Sequence, residues 1–147
     1  MIAGLLFVFS NFMMKVLARM SPENGISTMQ AINTAIVNPL FLLIFLGSAL
    51  ACVANILYCF MHWNQPGISF LLAGSVMYLI GTFGVTIAFN VPLNDTLASI
   101  DASNPSSVQV WKDYLAAWTV WNHVRTIAAI AATGLLVIAI YQLRSIK

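Results

Sequence analysis

The chain has 147 residues, 61% of them hydrophobic and 7% charged, with a net charge of +2 and a mean hydropathy of +0.91. A soluble domain carries about 25% charged residues, so this surface must be covered largely by lipid. The few charges form no basic cluster, which excludes a nucleic-acid partner.

The first hydrophobic segment covers about residues 1–20. Its apolar stretch, residues 2–14, has no basic residue before it and Lys15 and Arg19 after it. That is the reverse of a secretory signal, so a retained first span is expected, with Lys15 snorkelling or facing a polar interior. Ser21-Pro22-Glu23-Asn24-Gly25 reads as a turn. Residues 26–38 follow as an amphipathic helix, with Met29, Ile32 and Ile36 on one face and Gln30, Asn33, Thr34 and Asn38 on another. Too polar to span, it should lie along the membrane surface.

Pro39 opens a second span, about 39–62, and residues 63–67 make a tight connection with an interfacial Trp63. The third span is 68–89, followed by a loop through Asn104. Asn104 before Pro105 is a helix start, a capping side chain and then proline at the first position. The pattern then stays helical to about Arg144, roughly 60 Å at 1.5 Å per residue and twice the hydrocarbon thickness. Residues 124–143 read as the fourth span and 105–123 as a helical extension. The fold class is therefore all-α: one transmembrane domain, a membrane four-helix bundle with an interfacial helix after the first span and a long fourth helix extending beyond the bilayer. Lys15, Arg19, Lys112 and Arg125 sit on the connection side, against Arg144 and Lys147 on the terminus side. In a multi-pass cell-membrane protein this count favours cytoplasmic connections after spans one and three.

Polar residues gather on that connection side: Asn33, Asn38, Asn90, Asn94, Asp95, Asn122, His123 and Arg125. Ionisable groups at membrane depth are functional candidates because stranding them in lipid is costly. Trp111, Trp118, Asn122 and Arg125 fall at spacings of seven, four and three, one helical stripe. Two indoles above an amide and a guanidinium make a wall for a flat, partly polar molecule; an aromatic belt with a snorkelling arginine is the plainer alternative. His123 lies about 200° from Arg125 around a straight helix. It is a general-base candidate if it faces the bundle, with Asp95 as competitor.

Ser48, Cys52, Asn55, Cys59 and His62 form a second stripe. A metal needs three or four ligands and these supply two, so the interior face of a bundle explains them better. Gly74, Gly81, Gly84 and Ala88 make a small-residue stripe for close helix packing. No phosphate loop, dinucleotide fingerprint, nucleophile elbow, HExxH or transporter-type repeat is present.

Met29-Gln30-Ala31-Ile32-Asn33, Asn38-Pro39-Leu40-Phe41, Phe89-Asn90-Val91-Pro92-Leu93-Asn94 and Trp121-Asn122-His123-Val124-Arg125-Thr126 resemble the anthrone-oxygenase-like family of small four-helix membrane proteins. The resemblance covers nearly the whole chain. It implies oxidation of a lipophilic aromatic substrate, as fungal members oxidise anthrones to anthraquinones with no recognised cofactor. The parts it would need are a base, His123 or Asp95, and anion donors, Arg125 with Asn122, Asn90 or Asn94. Trp118 and Trp121 would flank the rings, and Asn38 would complete the binding set. Partners are then membrane lipids, a lipophilic aromatic small molecule and a second copy of the chain. The competing reading is a non-catalytic lipid or quinone binder, or a small subunit of a larger complex. An enclosed cavity bounded by Arg125, Asn90 and Asn94 favours the first; side chains pointing into headgroups favour the second.

Overall fold

The computed structural model describes residues 1–144. Five helices follow one another: α1 (Ile2–Leu17), α2 (Pro22–Ile36), α3 (Pro39–Met61), α4 (Ile68–Ala98) and α5 (Ser107–Arg144). Among the described residues there is no strand. Three of the helices, α3, α4 and α5, are long and apolar enough to cross a membrane. Helix α1 ends at Leu17, before residue 20, and its length of about 24 Å is less than a full hydrocarbon core. Large apolar side chains such as Leu43, Leu50, Phe60, Ile80 and Ile127 stand on the outside, where a bilayer is the solvent that favours them. The chain folds as a membrane helical bundle. Lys147, counted at the terminus side, lies outside the described residues.

Helix α2 starts earlier than its periodicity suggests. The Ser21 hydroxyl caps it, accepting from the Asn24 N–H at 3.4 Å, and Pro22 opens the first turn. Residues 21–25 are thus the cap and first turn of a helix. Gly25 is required inside it because a Cβ there would sit 2.8 Å from Cζ2 of Trp111. The apolar face of α2, with Ile26 and Met29, packs on Trp111, Tyr114 and Leu97. Protein, rather than lipid, covers it. Gln30 fixes the packing by donating to the carbonyls of Leu97 and Ile100.

The end of the third span also differs. The helix runs through Phe89 and Pro92 to Ala98, where a loop was expected from residue 90. Its middle is wound as π-helix over Tyr78–Gly84 and Thr86–Asn90. The second of them lies directly before Pro92 and contains Ala88, whose carbonyl a proline ring four residues on would meet in a regular α-helix. The wide turns set register. Tyr78, Thr82, Thr86, Asn90 and Asn94 recur every four residues. On a regular α-helix that row would drift by roughly 160°, whereas wider turns hold it together. Thr82 donates to the carbonyl of Arg125 at 3.4 Å and Asn90 to that of Trp118 at 3.3 Å, so much of the row faces α5.

Helix α5 is the hub, packed by α1, α2 and α4. It begins at Ser107, a little after the expected cap. Asn104 instead closes a turn by accepting from the N–H and hydroxyl of Ser106. Asp101 does the same with Ser103, and those two bonds hold its exposed carboxyl below the usual range. At the opposite end, Gly67 adopts φ +83°, and a Cβ there would lie 2.9 Å from the Ala139 carbonyl oxygen. Gly67→Ala is therefore expected to lower stability by about 1–2 kcal/mol, measured as a fall in the melting midpoint in detergent.

Candidate functional site

Side chains of α1 and α3 meet in the core through Ile2, Leu6, Phe45 and Ala49. Toward α2 they leave a cavity of about 150 Å³. Its walls are mostly apolar: Leu5 and Phe9 from α1, Met29, Ile32 and Ile36 from α2, Phe41 and Phe45 from α3. Its polar lining is Asn33, Thr86, Asn94 and Arg125, with Trp118 alongside. Arg125 is the one ionisable residue in that lining.

Arg125 is 6% exposed, and the partners that hold it are neutral. Nη1 donates to the Thr86 hydroxyl at 3.2 Å and Nη2 to Oδ1 of Asn122 at 2.8 Å. The guanidinium carbon lies 5.1 Å from the Trp118 ring centroid, a cation–π distance. Nε has no partner. A buried guanidinium with no countercharge is costly for a bundle to hold, which makes Arg125 a candidate functional group. Nδ2 of Asn33 is likewise buried without a hydrogen bond, although Tyr114 is a polar neighbour.

Behind these groups lies a frame. Asn94 accepts from the Tyr114 hydroxyl and from Nε1 of Trp118, both at 2.9 Å. Phe9 packs on the Trp118 ring at 5.5 Å. Asn122, fully buried, donates to the Leu6 carbonyl and to the Ser10 hydroxyl, and Ser10 pairs with Thr126 at 2.8 Å. Two α1 residues thereby lock the face of α5 that carries Arg125.

The structure thus brings Arg125, Asn94 and Trp118 to the cavity wall, with Asn122 and Asn90 one layer behind. Asn90 supports the Trp118 backbone and leaves its own Oδ1 unpartnered. The other sequence candidates lie elsewhere. His123 and Asp95 are not in the cavity lining; His123 is exposed and Asp95 stands on the outer side of α4. Trp121 stacks on Phe89 at 3.6 Å, away from Arg125. Asn38 is a hinge: it accepts from Phe41 N–H to cap α3 and donates to the Ala35 carbonyl at the end of α2. Sequence reasoning alone does not single out Asn33, Thr86 or Phe9 for the site. The four-residue row through Thr86 is the available signal for one of them. Cys52 and Cys59 are buried free thiols on the interior face of α3.

A protein-family model described as anthrone oxygenase matches residues 35–135. The match takes in Arg125, Asn94, Thr86 and Trp118, and starts two residues after Asn33. No curated protein and no solved structure matches the chain.

Proposed function

This chain belongs to the anthrone oxygenase family, and from that premise we propose that it binds a lipophilic aromatic ketone or phenol in the cavity beside Arg125 and promotes its oxidation by O₂. The observation that carries the reading is a guanidinium buried in an apolar cavity, held by neutral partners and with Nε unused. Such a cation stabilises an oxyanion far better there than it would in water.

An anthrone-type substrate carries a methylene between two aryl rings, para to its carbonyl across the central ring. Loss of one methylene proton gives an enolate, whose charge rests on the oxygen. Arg125 holds that oxygen by charge-assisted hydrogen bonds, while Phe9, Phe41 and Trp118 cover the rings. The enolate is electron-rich enough to reduce O₂. Overall the methylene becomes a second carbonyl, one oxygen atom entering the product and the other leaving as water. The proton departs to water at the cavity mouth, since neither His123 nor Asp95 reaches the cavity.

The test follows O₂ uptake and quinone absorbance when anthrone is given to the protein in detergent, against detergent alone. Acceleration over the blank is expected, and His123→Ala and Asp95→Asn are expected to retain it within about twofold. Loss in either variant would put the base back on the outer surface and sink this assignment. One observation favours a second reading: the lining holds no carboxylate or imidazole to take a proton. A quinone or phenolate held without turnover fits it, and binding without O₂ uptake would mark that outcome.

A further inference from the structure

We propose that a second cavity binds the hydroxyl end of an uncharged long-chain alcohol, such as a monoacylglycerol. This cavity, of about 250 Å³, lies where α1 is too short to cover α3 and α5, and it shares only Ile2 with the one beside Arg125. Its polar lining is Ser48, Cys52 and Asn55 from α3, Tyr78 from α4 and Thr133 from α5. The inference does not depend on what the Arg125 cavity holds.

Asn55 is the side chain that asks for a partner. It lies six residues before Met61, the end of α3, about 9 Å along the axis. Thr133 lies eleven residues before Arg144 at the end of α5, about 16 Å. Both stand at hydrocarbon depth, where an unbonded amide is strongly disfavoured. Among the described residues the Asn55 side chain makes no hydrogen bond, and it opens on the cavity. The bonds around it restrict what can complete it. Ser48 and Thr133 donate to the carbonyls of Ile44 and Ala129, each at 2.7 Å, so their oxygens can only accept. Tyr78 spends its proton on the Phe45 carbonyl at 3.3 Å. Asn55 offers two N–H donors and a carbonyl acceptor. A ligand hydroxyl fits both kinds of partner: it accepts from Asn55 and gives its own proton to Thr133. No lining side chain is charged, so a phosphate or carboxylate would lose its hydration at this depth with no cation to replace it. An acyl chain alone leaves Asn55 unpaired. The tail of an alcohol has a seat, because a mostly apolar groove lined by Leu5, Leu40 and Phe41 continues from Ile2 and Ile44 between α1 and α3.

The experiment uses the full chain in detergent micelles and counts lipid adducts by native mass spectrometry. Three oleoyl probes differ at the polar end: 1-monooleoylglycerol, methyl oleate and oleate. Monooleoylglycerol is expected to bind about tenfold more tightly than methyl oleate, the scale of one satisfied buried hydrogen bond, and more tightly than oleate. Asn55→Leu removes the amide at similar volume and should bring monooleoylglycerol down to the level of methyl oleate. Its melting midpoint should stay level or rise, since Asn55 bonds to nothing in the fold. Thr133→Val keeps the shape and should cost about threefold. Equal binding of the three probes, tightest binding of oleate, or a preference that survives Asn55→Leu overturns the proposal. Water is the other source of a hydroxyl, and a cysteine at the cavity wall separates the two. In nanodiscs, Ala51→Cys in a Cys52→Ala, Cys59→Ala background is treated with the charged thiol reagent methanethiosulfonate ethyltrimethylammonium. Slow modification, or modification that monooleoylglycerol slows, supports a lipid occupant. Fast modification that monooleoylglycerol leaves unchanged means that water fills the cavity, and the lipid assignment falls.

Discussion

Arg125→Met is expected to weaken binding of an anthrone or an aromatic carboxylate by about tenfold to a hundredfold, the value of one or two charge-assisted hydrogen bonds. In the same protein, the melting midpoint of the ligand-free form should stay level or rise. The two readouts point in opposite directions because the charge is buried without a countercharge. Removing one partner of a buried ion pair costs about 3–5 kcal/mol, since it strands the other charge. Removing a charge that is already alone relieves a desolvation cost of several kcal/mol. The losses on the other side are the bonds to Thr86 and Asn122, about 1–3 kcal/mol including the orphaned Asn122 carbonyl. Methionine keeps the length and apolar bulk of the side chain, so no large cavity opens. A midpoint falling by more than about 8 °C would instead make Arg125 a structural staple. Arg125→Lys supplies the control. It keeps the charge but loses the planar fork, and cannot serve Thr86, Asn122 and a ligand together, so binding intermediate between the parent and Arg125→Met is expected.

How far all this is legible in the sequence depends on which residues carry a period. The stripe of Trp111, Trp118, Asn122 and Arg125 is readable because α5 is a regular helix, where 3.6-residue geometry converts spacing into a shared face. The same geometry puts His123 about 200° from Arg125, and the structure indeed leaves it exposed. Helix α4 is harder. Pro92 and the asparagines around it look like a loop under α-helical rules, and only wider turns make the row from Tyr78 to Asn94 continuous. Asn33 is legible as polar but not as functional. Its role depends on α2 folding against α5, which Gly25 permits through close approach to Trp111. A hydrophobic pattern shows that a face is buried, not what buries it. Trp121 shows the limit in the other direction: it shares a motif with Arg125 and packs on Phe89 instead.

The small-residue stripe on α4 divides in the same way, and the division gives the second large effect. A Cβ at Gly81 would lie 2.5 Å from the Ala128 Cβ, and one at Gly74 would lie 3.1 Å from the Ala132 carbonyl oxygen. A Cβ at Gly84 would meet only the Leu79 carbonyl of its own helix, and Ala88 faces outward. Gly81 is thus the α4 glycine with the least room against α5. Lipid tails are as apolar as leucine, so helices in a bilayer hold together through close packing. Gly81→Leu is accordingly expected to cost about 3 kcal/mol or more, at or beyond the upper end for overpacking a core. It should also abolish ligand binding, because pushing the helices apart breaks the Thr82 contact to the Arg125 carbonyl and moves Thr86 from Nη1. A Cβ at Gly134 on α5 would find open space, with nothing within 4 Å, and Gly134→Leu should be neutral or mildly stabilising through helix propensity. The decisive comparison is a double-mutant cycle. Gly81→Ala and Ala128→Gly each destabilise alone, the first by contact and the second by about 1 kcal/mol of propensity. Together they restore the separation, so the pair should be more stable than the sum of its parts by about 0.5–3 kcal/mol. Simple additivity would mean that α4 and α5 do not meet at this point, and Arg125 would then lose the contact that sets its depth beside the cavity.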